Sequence, residues 1–110
     1  MANSVSLIIG AGALGIALAA RLAAQGHVIM MAGIGSYTSS LDTIKSQGST
    51  VSVDERGRYQ VNIVATEDAI RHADFIFITM PTDGHPEVIE ALKSHDLSSK
   101  VVFVLPAGFF

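Results

Sequence analysis

At 110 residues and 11.5 kDa the chain has room for one domain, and a compact chain of that mass buries roughly 65% of the surface it exposes when unfolded. Hydrophobic residues make up 49% and charged residues 15%, which excludes a disordered, charge-solvated chain. A net charge of −3 leaves no basic stripe for a nucleic acid, and the absence of cysteine excludes disulfides, thiolate nucleophiles and cysteine-ligated metal centres.

The mostly apolar stretch over residues 5–24 has the look of a leader or a membrane span, but its details read otherwise. No Lys or Arg precedes it, Gly10, Gly12 and Gly15 interrupt it, and Arg21 lies within it, where a charge in a bilayer is costly. A strand, a turn and a helix account for each of these residues. The expectation is a protein without membrane contact, in the cytoplasm.

In chain order, residues 4–9 read as a short strand buried on both faces. Gly10-Ala11-Gly12 forms a turn of small residues, and residues 13–25 a helix with Leu14, Ala17, Leu18 and Arg21 or Leu22 at helical spacing on an alanine-rich inner side. Gly26 stands where a helix ends on glycine. Residues 28–31 are a second strand and 32–37 a loop. Thr38 or Ser39 caps a helix of about ten residues that ends before Gly48, with Leu41 and Ile44 as its apolar face. Alternation at Val51 and Val53, a polar turn at Asp54-Glu55-Arg56-Gly57, and renewed alternation at Tyr59, Val61 and Ile63 mark a hairpin. Thr66 opens a short helix. Phe75-Ile76-Phe77-Ile78 is a continuous apolar run of the kind found in an interior parallel strand. Pro86 fits the first turn of a helix to about His95, and residues 101–105 are the last strand. The order β-α-β-α, hairpin, α-β-α-β specifies an α/β, Rossmann-type doubly wound, mostly parallel sheet with an inserted hairpin, stopping after the fifth main strand. Residues 1–110 are expected to form one domain, the front part of a longer protein.

Gly10-Ala11-Gly12-Ala13-Leu14-Gly15 is G-x-G-x-x-G placed directly after a strand and directly before a helix. The first glycine makes the turn, the second leaves room for a pyrophosphate, and the third lets helix and strand pack closely. The amides and dipole at the helix start face the phosphates. The acidic residue that commonly bonds the adenine ribose about twenty positions on is missing, since Met30, Met31, Ala32 and Gly33 fill that window. No Arg or Lys follows until Lys45, and Ser36, Tyr37, Ser39 and Ser40 offer hydroxyls that serve equally as loop or cap residues. The choice between NAD and NADP stays open. Met31, at the end of the second strand, is counted among the residues that border the cofactor, although the simplest role of the methionine pair is to fill the core.

The loop Thr79-Met80-Pro81-Thr82-Asp83-Gly84-His85 follows a buried strand, so it faces the dinucleotide. Met80 and Pro81 are candidates to pack the ribose or nicotinamide. His85 is either a solvated residue at a helix start or a cofactor contact. His27 is expected at the start of the second strand, and His72 and His95 at helix ends. No metal-ligand spacing, Ser–His–Asp arrangement or paired carboxylates can be placed.

The run VSLIIGAGALGIALAARLAAQGHVIMM resembles the N-terminus of the group that holds glycerol-3-phosphate dehydrogenase, ketopantoate reductase and the opine dehydrogenases. With the hairpin over 51–64, ATEDAIRHADFIFITMPTDGHPEVIEAL and VVFVLPAGFF, the whole chain resembles the octopine/nopaline (opine) dehydrogenases most closely. The resemblance implies that Pro81 with His85, and Pro106 with Gly108, border the cofactor. It further implies NAD(P)H-dependent reduction of the imine formed between an amino acid and a 2-oxo acid. In that family the substrate and proton-transfer residues lie in a second, helical domain that this chain lacks, so no catalytic residue carries over. A stand-alone, non-catalytic dinucleotide-binding module is the alternative, as is the cofactor domain of a glycerol-3-phosphate dehydrogenase or ketopantoate reductase relative. Phe109 and Phe110, with the edge of the last strand, predict a homo-oligomer, a dimer in its simplest form.

Overall fold

A computed structural model describes residues 4–10, 13–33, 39–52, 57–64, 66–79 and 85–105, with the backbone alone for Ala13, Ser39, Ser40, Thr66 and His85. Seven strands and four helices alternate along these segments: β1 (Val5–Ile9), α1 (Ala13–Ala24), β2 (Val28–Ala32), α2 (Ser39–Ser46), β3 (Thr50–Val51), β4 (Tyr59–Gln60), β5 (Asn62–Ile63), α3 (Thr66–His72), β6 (Phe75–Ile78), α4 (His85–Lys93) and β7 (Val101–Val104). Five strands form one sheet in the order β5-β2-β1-β6-β7, and every pairing in it is parallel. The Rossmann-type doubly wound layout expected from the sequence is the one observed.

The sheet is continuous because its central strands are apolar on both faces. Leu7 and Ile9 of β1 join Met30, Ile76 and Ile78 on one side, where Ala69, Ile70 and Ala73 from α3 and Val88 and Leu92 from α4 complete the layer. Ile8 joins Ile29 and Met31 on the other, under Ala19 and Ala20 of α1 and Leu41 and Ile44 of α2. Each large side chain among these contributes about 1.5–3 kcal/mol by leaving water. Asp74 ties the amino end of the sheet. Its amide donates to the Val5 carbonyl at 2.8 Å, and its carboxylate accepts the Val5 amide at 3.0 Å.

The alanine-rich inner side expected of α1 is observed, and one detail of the hairpin differs from the sequence pattern. The leucines of α1 are not its most buried residues: Gly15, Ala19 and Ala20 are buried, whereas Leu14, Ala17, Leu18 and Leu22 are half-buried and Arg21 is exposed. A glycine and alanine stripe brings the helix axis closer to the sheet than leucines allow. The hairpin is shorter than the alternation suggests. Thr50 and Val51 pair antiparallel with Gln60 and Tyr59. The return strand then leaves its partner at Val61, and Asn62 and Ile63 join the main sheet beside Met30 and Met31. Val61 is buried, and its amide still bonds the Ser49 carbonyl at 2.9 Å, so it acts as the pivot between the two sheets. The tip of the hairpin lies outside the described residues.

α1 stops where the sequence predicts. The Gly26 amide donates to the Ala23 carbonyl and the His27 amide to the Leu22 carbonyl, the paired bonds of a Schellman ending.

Candidate dinucleotide site

The carboxyl ends of the strands are bonded side by side. The Gly10 amide donates to Ala32 at 2.9 Å, the Thr79 amide to Ile9 at 3.0 Å, the Leu105 amide to Ile78 at 2.9 Å and the Val64 amide to Met31 at 3.2 Å. From β1 the chain winds outward to β2 and β5, then returns to β6 on the other side of β1. The switch point lies between β1 and β6, and ligands of open parallel sheets bind in the crevice beyond such a point. Gly10 and Thr79 flank it.

Gly10 has a φ of 111°, a conformation that side chains rarely adopt. The chain can therefore turn sharply out of β1 and enter α1 after two residues. Gly15 lies in the first turn of α1 and packs against that bend. A Cβ there would stand 2.5 Å from the Gly10 carbonyl oxygen and 2.9 Å from the Thr79 Oγ1. Glycine is thus required at both places for different reasons, backbone conformation at Gly10 and close approach at Gly15.

The start of α1 also differs from the other helix starts. α2, α3 and α4 carry Asp42, Glu67 with Asp68, and Glu87 in their first turns, and α1 carries no acid there. Carboxylates at the other three satisfy the positive end of the helix. At α1 the first-turn amides, which have no partner within the helix, and the uncompensated dipole suit an external anion, which is what a pyrophosphate supplies. These features fit a dinucleotide.

Of the residues singled out in the sequence, Gly10 and Gly15 are brought together at this bend, and Ala13 and Leu14 open the helix. Met31 is fully buried, and its side chain fills the core beneath α1 and α2. His85 is the first residue of α4. Ala11, Gly12, Met80, Pro81 and Pro106 lie outside the described residues, as do Ser36, Tyr37, Asp83, Gly108, Phe109 and Phe110. Thr79, named in the sequence only as the first residue of its loop, emerges as part of the site. Its signal was a hydroxyl residue directly after the apolar run of β6.

The other histidines sit away from this edge. His27 stands at the amino end of β2, with Nδ1 buried and without a hydrogen-bond partner among the described residues. The His72 Nδ1 lies 2.8 Å from the Asp68 carbonyl at the end of α3. Beyond the end of α4 a depression of about 460 Å³ is lined by Arg71, Ser94, His95, Asp96, Ser99 and Lys100. Its lysine is spent on structure, since Nζ donates to the Arg71 and Ala73 carbonyls at 3.0 and 2.7 Å. Asp96 accepts the Ser98 amide, and that bond with one from the Ser98 side chain holds its carboxyl below the usual range. This end of the sheet is opposite the glycine turn. No cluster of metal-ligating side chains occurs among the described residues, and no described helix is long and apolar enough to cross a membrane.

Comparison with known proteins agrees with this geometry. Residues 5–105 match the family described as NADP oxidoreductase, coenzyme F420-dependent. The chain is 36% identical over 105 residues to Protein ocs of Agrobacterium tumefaciens (strain Ach5), covering 92% of this chain and 29% of that one. It is 31% identical over 100 residues to a glycerol-3-phosphate dehydrogenase (NAD(P)+) of Staphylococcus aureus (strain USA300 / TCH1516), covering 88% and 29%. Among solved structures, an imine reductase from Pseudomonas sp. superposes with a TM-score of 0.64 over 94% of this chain and 32% of its own, at 17% identity, a likeness of fold. The chain spans 29% of the length of the two curated relatives. The kinship with glycerol-3-phosphate dehydrogenases that the sequence suggested is borne out. By the match over nearly its whole length, with the glycine turn at the switch point of a parallel sheet, the chain belongs to the NADP oxidoreductase, coenzyme F420-dependent family, as an NAD(P)-binding oxidoreductase domain.

Proposed function

We propose that this domain holds the NAD or NADP of an opine-dehydrogenase-like oxidoreductase, one that reduces the imine of an amino acid and a 2-oxo acid. The observation that carries the dinucleotide part is the acid-free start of α1, packed through Gly15 onto Gly10 at the switch point. The imine part rests on the resemblance of residues 51–92 and 101–110 to the opine dehydrogenases. When bound, the reduced nicotinamide supplies hydride to the imine carbon. This chain's part is to bind the pyrophosphate at the turn and α1, and to orient the nicotinamide beyond β6 and β7. Met80, Pro81, His85 and Pro106 are proposed to border the nicotinamide, and Ala11 and Gly12 to approach the pyrophosphate.

Titration of the chain with NAD(H) and NADP(H) tests the site. Gly12→Leu, with its fold confirmed by circular dichroism, is expected to weaken the preferred dinucleotide by at least about tenfold. Equal affinity in the variant overturns the assignment.

The same reading predicts no turnover by the 110-residue chain alone. Hydride transfer needs a substrate held against the nicotinamide and shielded from water, and the proposed helical domain supplies that side. Oxidation of NAD(P)H with panels of amino acid and 2-oxo acid should not exceed the protein-free rate. Saturable turnover would place a catalytic group within these residues, with His85 the first to replace. In a protein that carries the helical domain, reduction of dihydroxyacetone phosphate or ketopantoate in place of an imine would select the dehydrogenase or reductase relatives.

We further propose a cytoplasmic location, in keeping with the cysteine-free composition, and a homodimer formed through β7.

A further inference from the structure

We propose that Thr79 is a positioning residue for the dinucleotide, whose hydroxyl fixes the end of β1 against the first turn of α1. The inference rests on the dinucleotide reading of the site and adds a residue on which that reading does not depend. Thr79 directly follows β6, and its backbone already completes the ladder, its amide donating to the Ile9 carbonyl at 3.0 Å. The side chain adds a second bond to the same oxygen at 3.1 Å, with the Gly10 carbonyl sharing the hydroxyl at 3.5 Å. Ile9 is therefore not in need of the hydroxyl for its own satisfaction. Four apolar residues precede Thr79 in β6, and valine, with the same branching, suits the end of a buried strand at least as well. A hydroxyl here makes sense as a clamp on two successive carbonyls.

What the clamp holds is the bend itself. The Thr79 Oγ1 and the Gly10 oxygen are among the nearest atoms to the space a Cβ on Gly15 would take. Thr79, Gly10 and Gly15 thus make one three-way contact joining β6, the end of β1 and the first turn of α1. The direction in which the chain leaves β1 and the seat of α1 are set together there. Phosphate binding by helix-start amides depends on both, because hydrogen bonds to an anion weaken steeply with misalignment. Valine keeps the shape but puts a methyl against the two carbonyls. Serine keeps the hydroxyl and loses only the methyl.

The experiment compares the wild-type chain, T79V and T79S by calorimetric titration with NAD(H) and NADP(H), with the folded fraction measured by far-UV circular dichroism in the same buffer. The expected result is binding about five- to tenfold weaker in T79V, at unchanged folded fraction, and restored to within about twofold of wild type in T79S. Affinity in T79V within about twofold of wild type overturns the inference and leaves the dinucleotide reading standing. T79S as weak as T79V overturns it too, since the methyl and not the hydroxyl would matter. A loss in T79V that only tracks its unfolded fraction shows a purely structural role and also overturns it. A wild-type chain that binds neither dinucleotide removes the reading of the site, and the inference with it.

Discussion

Gly15→Val is expected to cost the domain about 1–3 kcal/mol of stability, the usual range for forcing extra volume into a packed site, and to weaken dinucleotide binding by more than tenfold. The Cβ would meet the Gly10 carbonyl oxygen at 2.5 Å. That oxygen belongs to the backbone, and the Gly10 amide is itself bonded to Ala32, so it cannot swing away as a side chain would. Either α1 lifts from the sheet, which loosens Ala19 and Ala20 from the core, or the bend at Gly10 distorts. Both displace the amides at the start of α1 from the anion they are set to meet. Ala24→Val serves as the control. Ala24 is exposed in the last turn of the same helix, so the change costs only helix propensity, about 0.5 kcal/mol, and leaves binding intact. Thermal unfolding and titration of both variants decide the matter. For a domain near this size each kcal/mol moves Tm by roughly 4–8 °C. A Gly15→Val chain with wild-type Tm and affinity would show that the close approach carries neither stability nor function.

The contact behind this prediction was half visible in the sequence. A glycine three residues after Gly12 announces that something comes close, because the motif has a mechanical meaning at each position. It does not announce what comes close. Gly10 is five residues away, and Thr79 is sixty-four residues further on, brought alongside by the parallel register of β1 and β6. A hydroxyl after an apolar strand looks the same in sequence whether it meets water, caps a helix or clamps a neighbouring strand. Only the register separates these roles.

The same limit governs the fold. β1, β2 and β6 were legible because continuous apolar runs between turn residues leave few other structures open to them. The stop of α1 was legible at Gly26 for a local reason. The alanine-rich inner face of α1 was legible as well, but not how far its leucines would stay half-buried, since periodicity alone does not say how closely a helix approaches the sheet. The split of the return strand at Val61 was not legible. Tyr59, Val61 and Ile63 keep one alternation, yet Tyr59 pairs within the hairpin and Ile63 joins the main sheet. Period two says that a strand has a buried face. It does not say which neighbour covers that face.

The remaining large effect is expected at β7, as self-association of the chain. Strands of a parallel sheet are ordinarily covered on both faces, and β7 is not. Val101, Val102, Phe103 and Val104 are 46%, 36%, 41% and 53% exposed. β6 pairs with one side of β7, and no described strand pairs with the other. On one face the Phe103 ring stacks on Phe77 at 4.9 Å, so part of its area is sheltered within the domain. Val102 and Val104 point to the opposite face. An apolar strand with an open edge and no charge along it is a template for pairing, and a second copy offers the same edge in return. Two such edges meet about a two-fold axis, which gives a closed dimer. Sedimentation equilibrium at tens of micromolar, a range that reveals pairing of roughly 7 kcal/mol, is expected to find that dimer. A doubly charged edge, V102K with V104K, is expected to leave a folded monomer, because lysines facing one another repel and resist desolvation. A chain ending at Pro106 should stay dimeric if β7 itself forms the interface, and should become monomeric if Phe109 and Phe110 supply it. A monomeric wild-type chain, or a dimer indifferent to both changes, would show that β7 is not where copies meet.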